Sequence, residues 1–335
     1  MKKAILLINL GTPDRLNAVS IRRYLRTFLN DPRVIDIPAI WRWLLVNLVI
    51  VPFRYRKTQA AYRKIWQTQG SPLLSLSEAL TRRVGEKLGE EYHVALAMRY
   101  GQPSIKSVLP QLLDTGSLTI IPLYPQYAAA ATGSAIAEVM DVLSSQWNMP
   151  QLVIKNQFYD HPAFISAYAS RIGEFLKNQS VDFVLFSYHG LPERHVDKSG
   201  CALSCDKISS CPAIDSANAY CYRAQCYATT EAIVKKAGLD ASVYGVSFQS
   251  RLGRTPWIKP YTDMLLPDLL RRGIKKLAIV SPSFAVDCLE TLEEIDIRTR
   301  EQWFKLGGEA FYYIPCLNDS PDFVSALAEI ARTPA

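Results

Sequence analysis

The chain has 335 residues, 49% of them hydrophobic and 21% charged. That is length for about two ordinary domains, and the composition excludes a disordered, fibrous or low-complexity protein. The formal net charge is +7. Lys and Arg are spread along the chain and not gathered in a block, which argues against nucleic acid and leaves an ordinary basic surface, an anionic ligand or an anionic membrane face.

Residues 4–10 read as a buried parallel strand that turns at Gly11-Thr12-Pro13. Two lysines and an apolar run give the start the outline of a signal peptide. The run is short and lacks a small-residue cleavage site, so the first core strand of a cytoplasmic protein is expected. Residues 18–29 have a helical pattern. Residues 40–53, IWRWLLVNLVIVPF, are the most apolar stretch. Arg42 and Asn47 interrupt it, it is too short to span a bilayer, and Arg54, Arg56 and Lys57 follow at once. An interfacial segment or apolar lip fits this pattern, and so does a core helix.

Helical patterns over 61–66, 75–88, 104–113 and 133–146 then alternate with strands over 94–98 and 118–123. The second half repeats the rhythm. Its strands are 152–156, 183–186, 242–248, 276–282 and 311–314; its helices are 162–176, 226–237, 263–272 and 288–301. The alternation predicts an α/β protein of two similar halves, each with a parallel sheet flanked by helices. The boundary falls near 146–160, giving domains over 1–150 and 151–335, with the end of the chain free to cross back to the first. A cleft between such halves is a usual binding place.

Three constellations carry chemistry. Residues 183–186 end at Ser187-Tyr188-His189-Gly190. Ligands in open α/β sheets sit beyond the carboxyl ends of the strands, which puts His189 at a functional position. A histidine merely satisfied at a strand end has the same pattern. In DCLETLEEID, Asp287 and Glu290 have the spacing of an N-cap and its partner. Glu290 and Glu294, four apart, share a helical face, where their repulsion costs a few tenths of a kcal/mol. Such a row could hold or relay cations and protons. Finally, Cys201, Cys205, Cys211, Cys221 and Cys226 are five of the seven cysteines, spaced C-x3-C-x5-C-x9-C-x4-C. A cytoplasmic chain would not use them for structural disulfides, so a metal centre is expected. The spacing is not the paired C-x2-C of a zinc ribbon. Four thiolates suffice for an iron–sulfur cluster, with zinc as the runner-up. Cys288 and Cys316 read as packing residues.

Taken together, LLINLGTPD, YRKIWQTQGSPL, LAMRYGQPS, IPLYPQY, SYHGLPERH, FQSRLGRTPWIKP and SFAVDCLETLEEI resemble the ferrochelatases over nearly the whole chain. The resemblance implies a lyase that inserts ferrous iron into protoporphyrin IX in haem biosynthesis, with the porphyrin in a cleft between two Rossmann-like halves. It implies His189 and Glu290 as catalytic residues, with Glu294 the next acid along a helix that conducts metal or protons. Arg298 stands where some relatives carry another acid. Leu10, Tyr62, Arg99, Tyr100 and Trp257 match residues around the porphyrin. Residues 40–53 match an apolar lip that some relatives use at the inner membrane face. The cysteine segment looks like the internal loop that carries a 2Fe-2S cluster in some bacterial members. Cys201, Cys205, Cys211 and Cys221 are its expected ligands and Cys226 the fifth candidate. A coproporphyrin substrate, or a haem or iron sensor on the same fold, are the alternatives.

Overall fold

The structure, a computed structural model, describes residues 2–200, 211–253 and 255–333. The chain forms two compact units. The first comprises Met1–Tyr124, Ala128–Gln157 and Asp319–Ala335; the second comprises Pro125–Tyr127 and Phe158–Asn318.

In the first unit, β1 (Lys3–Asn9), β2 (Tyr92–Met98), β3 (Ser117–Pro122) and β4 (Gln151–Ile154) form a sheet in the order β2-β1-β3-β4. All its pairings are parallel. The reason lies in β1, where KAILLIN is buried at every position after Lys3. A strand covered on both faces needs a continuous apolar run. Ala4, Leu6 and Ile8 pack on one face with Leu109, Leu112, Val139 and Leu143. On another part of the unit, Ile21, Tyr24, Leu25, Val46, Val51 and Tyr100 form a second cluster. The closing helix Pro321–Arg332 belongs to this unit and packs on Pro72–Leu88.

The second unit repeats the topology. β5 (Phe183–His189), β6 (Tyr244–Gln249), β7 (Lys276–Val280) and β8 (Ala310–Ile314) run in the order β6-β5-β7-β8, again all parallel. Phe183, Leu185, Leu277 and Ile279 share a core with Leu266, Leu269, Ile295 and Trp303. In each sheet the order reverses direction at the first strand, and the crevice beyond that strand's carboxyl end is where α/β sheets bind ligands. Leu10 follows β1 and His189 ends β5, so the two occupy corresponding places.

The helical expectations differ from the structure where proline or hydrogen-bond register intervenes. Residues 39–65 form one continuous helical segment: Ala39–Leu44, a π-helical stretch Leu45–Ile50, then Val51–Ile65. Val51 N–H donates to the Val46 carbonyl, five residues back. Pro52 has no N–H to give, and the wider register just before it accommodates that loss. The segment is divided between core and surface. Val46 and Val51 are buried, whereas Ile40, Trp41, Trp43, Leu48, Val49 and Phe53 are exposed. Residues 104–113 are only a short α-turn, Ile105–Val108, followed by the 3-10 turn Leu109–Leu112, because Pro110 ends α-helical bonding. No helix among the described residues is long and apolar enough to cross a membrane.

Candidate active site

β5 carries His189 to the sheet edge because FVLF is buried and the polar residues after it are satisfied internally. Ser187 Oγ donates to Gln249 Oε1 at 2.8 Å and lies 2.8 Å from Thr262 Oγ1. Tyr188 is fully buried, with its hydroxyl 2.8 Å from Thr230 Oγ1. His189 is half-buried. Its backbone N–H donates to Ser283 Oγ at 3.0 Å, and its carbonyl accepts from Tyr222 Oη at 2.8 Å. The imidazole Nδ1 lies 2.6 Å from the Gly190 carbonyl oxygen. A carbonyl can only accept, so Nδ1 carries the proton and Nε2 keeps a lone pair in the neutral ring. The rings of Trp257 and Phe284 stand 6.4 and 6.1 Å from the imidazole. Gly190 is needed for this closeness: a Cβ there would meet the Gln249 carbonyl oxygen at 2.7 Å.

Glu290 and Glu294 lie on the π-helix Glu290–Thr299, which continues as the α-helix Arg300–Lys305. π-helical turns are rare and concentrate at functional sites. The Glu290 carbonyl accepts from Gln249 Nε2 at 2.9 Å. The Glu294 carboxylate accepts from the Ser250 N–H at 2.9 Å and from Ser250 Oγ at 2.5 Å. Ser250 holds this grip at φ 68°, a left-handed conformation that non-glycine residues avoid. Arg298 Nη2 lies 3.3 Å from Glu293 and 3.7 Å from Glu294. A cation therefore ends the acidic row at that point.

The capping partnership expected of Asp287 and Glu290 is not what forms. Asp287 is buried and accepts from Thr291 Oγ1 at 3.0 Å, Asn318 Nδ2 at 2.7 Å and the Tyr313 hydroxyl. It ties the start of this helix to the end of β8, and the Glu290 side chain is not needed for the cap.

In the first unit, Arg99 and Tyr100 follow β2. The Tyr100 N–H donates to the Leu10 carbonyl at 2.8 Å. Gly11, at φ 108°, permits this contact, since a Cβ there would fall 1.7 Å from the Tyr100 oxygen. Arg99 Nη2 pairs with Asp31 at 2.7 Å, its Nη1 with Glu138 at 3.3 Å, and its Nε donates to Ser134 Oγ at 2.8 Å. Tyr100 Oη donates to Asp31 at 2.8 Å. Burial alone would raise the Asp31 carboxyl; bonds from Ser134, the Arg33 N–H and Tyr100, with the Arg99 charge, outweigh it and hold the group below its ordinary range. The Tyr100 side chain is fully buried and Tyr62 nearly so. As placed, the Tyr100 ring presents no surface to a ligand. Arg99 thus uses all three guanidinium nitrogens inside the unit, on Asp31, Glu138 and Ser134.

The second unit thus gathers His189, Trp257, Glu290 and Glu294 around the ends of β5 and β6, and the first gathers Leu10, Arg99 and Tyr100. Gln249, Ser250, Ser283 and Asp31 join these groups without having been singled out in the sequence. Gln249 and Ser250 lie within FQSRLGRTPWIKP and Ser283 opens SFAVDCLETLEEI, whereas Asp31 falls in none of the motifs.

Cys211, Cys221 and Cys226 are buried. Arg223, itself buried, donates from Nη1 to Cys211 Sγ at 3.0 Å. Burial pushes the Cys226 thiol well up; the Tyr222 hydroxyl and Arg223 oppose that, while Cys211 and Cys221 add to it. Cys201 and Cys205 lie outside the described residues. Among the described residues no group of three or more His, Cys, Asp or Glu is arranged to hold a metal ion.

The family model described as Ferrochelatase matches residues 2–335. A ferrochelatase of Coxiella burnetii (strain Dugway 5J108-111) is 49% identical over 334 residues, covering 99% of this chain and 93% of that protein. One of Legionella pneumophila (strain Lens) is 49% identical over 332 residues, covering 99% of each. Among solved structures, SirB from Bacillus subtilis with Fe3+ is similar at a TM-score of 0.50 and 12% identity, covering 98% of this chain and 94% of that one. Likeness at that identity speaks for the fold. By sequence, over almost its full length, the chain belongs to the ferrochelatase family.

Proposed function

We propose that this chain inserts ferrous iron into protoporphyrin IX to form protohaem, with His189 and Glu290 as the catalytic residues. The observation that carries this reading is the state of His189. Its Nδ1 proton is held by the Gly190 carbonyl, which leaves Nε2 as a base at the carboxyl end of a central strand. Insertion releases two pyrrole protons as the metal binds the ring nitrogens, so a positioned imidazole with a free lone pair is suited to take them up. Ferrous iron must also shed water, and imidazole and carboxylate are suitable transient ligands. His189, Glu290 and Glu294 offer those donors. Glu294, gripped by Ser250, is the fixed member of the set. The proposed porphyrin contacts are Leu10, Arg99 and Trp257; Tyr62 and Tyr100 are buried.

The test is an anaerobic assay that follows the loss of porphyrin fluorescence with ferrous iron. His189→Ala and Glu290→Gln should each lower the rate by about 10²-fold or more while the protein stays folded. Protoporphyrin IX should be the faster substrate and coproporphyrin the slower. Wild-type rates in either variant would defeat the assignment of that residue, and the reverse preference would make coproporphyrin the substrate.

A 2Fe-2S cluster held by Cys201, Cys205, Cys211 and Cys221, with Cys226 as the spare thiol, is part of this proposal. The donor set supports it in one respect: the buried Arg223 guanidinium sits on Cys211 Sγ, where positive charge favours a thiolate. Metal insertion needs no electron transfer, so the cluster's role would be structural or sensing. Anaerobically purified protein should contain iron and inorganic sulfide in equal amounts. Cys221→Ser should bleach it and Cys226→Ser should not. Stoichiometric zinc without sulfide would refute the cluster, and a colourless Cys226→Ser would exchange the spare.

The exposed side chains from Ile40 to Phe53, followed by Arg54, Arg56 and Lys57, support a weak, reversible contact with the inner face of an anionic membrane from a cytoplasmic location. Co-sedimentation with phosphatidylserine vesicles should fall when Trp41 and Leu48 are replaced with serine. No binding by the parent protein would remove this contact.

A further inference from the structure

Gln249 is the last residue of β6 and lies opposite His189 in the parallel register with β5. Its side chain is buried, with 4% of its surface exposed. Its main-chain carbonyl accepts from the Gly190 N–H at 2.8 Å. Its side-chain oxygen accepts from Ser187 Oγ at 2.8 Å, two residues before His189. Its side-chain nitrogen donates to the carbonyl of Glu290 at 2.9 Å. One residue therefore holds the strand of the base on both sides of His189 and, through its amide nitrogen, the first residue of the helix that bears the acid.

Few side chains could replace it. The Ser187 end needs an acceptor and the Glu290 end needs a donor, which an amide supplies on one planar group. Glutamate would put a second acceptor against the Glu290 carbonyl. Asparagine is one methylene shorter. Methionine matches the length and offers neither bond. A helix opening in a π register has a displaced set of carbonyls, so an external donor at its first residue fixes where that residue sits.

We propose that Gln249 is a positioning residue for metal insertion, setting the separation between His189 and the Glu290 backbone. This rests on the catalytic roles proposed for those two residues. Gln249 touches neither iron nor porphyrin in this assignment; it acts through the two residues that do. Misplacement by about 1 Å can cost roughly 10²-fold in rate, so losing one tether should slow the reaction without removing either catalytic group.

The experiment compares Gln249→Met and Gln249→Glu with the parent enzyme, using ferrous iron and protoporphyrin IX. In both variants kcat should fall at least about 10-fold, while KM for the porphyrin changes less than about 3-fold. A role confined to packing would lower the melting temperature and leave the kcat of the folded enzyme in place. A folded Gln249→Met with parental kcat overturns the proposal. If that variant does not fold, Gln249→Glu decides by the same readings. Inactive His189→Ala and Glu290→Gln beside a fully active Gln249→Met would sink this inference alone. An active His189→Ala would sink the catalytic reading beneath it.

Discussion

The buried hydrogen bonds joining the ends of β5 and β6 to the acid-bearing helix are the constraint on which the second unit's chemistry depends. Ser187, Gln249 and Thr262 are each almost wholly buried. A buried donor or acceptor left without a partner costs about 1–3 kcal/mol, more than the roughly 1 kcal/mol that a made bond contributes. Such a network is therefore stable only when complete, and completeness admits one arrangement of the strand ends. His189 inherits its position from that arrangement, and its tautomer from the Gly190 carbonyl that the same network holds.

The helix carrying the acids obeys two further restraints. Asp287, fixed by Tyr313, Thr291 and Asn318, anchors its start to β8. Ser250, in a left-handed conformation, anchors its Glu294 carboxylate to the end of β6. Between these anchors the backbone adopts the π register, and Thr299 Oγ1 bonds the Glu294 carbonyl five residues back at 2.7 Å. Strain at Ser250 and an irregular helix beside a half-buried histidine are what a functional segment shows when the surrounding core is rigid enough to impose them. The first unit uses the same topology differently. There the corresponding strand end is locked by Asp31, which receives Arg99, Tyr100 and Ser134 together. The Arg99 charge is met inside the unit by Asp31 and Glu138.

Much of this was legible in the sequence. The alternation of apolar runs and 3.6-residue periodicity gave eight strands at nearly their observed places, since parallel strands buried on both faces must be continuously apolar. His189 could be placed because FVLF ends abruptly in polar residues and glycine. Other features were out of reach for a physical reason. The π registers at Leu45–Ile50 and Glu290–Thr299 differ from an α-helix by one residue per hydrogen-bonded turn, a difference that local hydrophobic pattern does not register. Asp31 meets Arg99 across 68 residues, and Gln249 meets Glu290 across 41. Such polar partnerships arise from the packed fold, so a single sequence shows the residues without their partners. Asp287 is the opposite case. Its spacing to Glu290 suggested a local cap, and long-range bonds from Tyr313 and Asn318 prevailed.

The network fixes the neutral His189 ring as the Nδ1–H tautomer, with the lone pair on Nε2. Nitrogen-15 NMR of the imidazole in the metal-free protein reads this state, with His189→Ala used to assign the signals. The neutral ring should show a proton on Nδ1 and a pyridine-type Nε2 without porphyrin present. A proton resident on Nε2, with Nδ1 bare against the Gly190 carbonyl, would overturn the assignment.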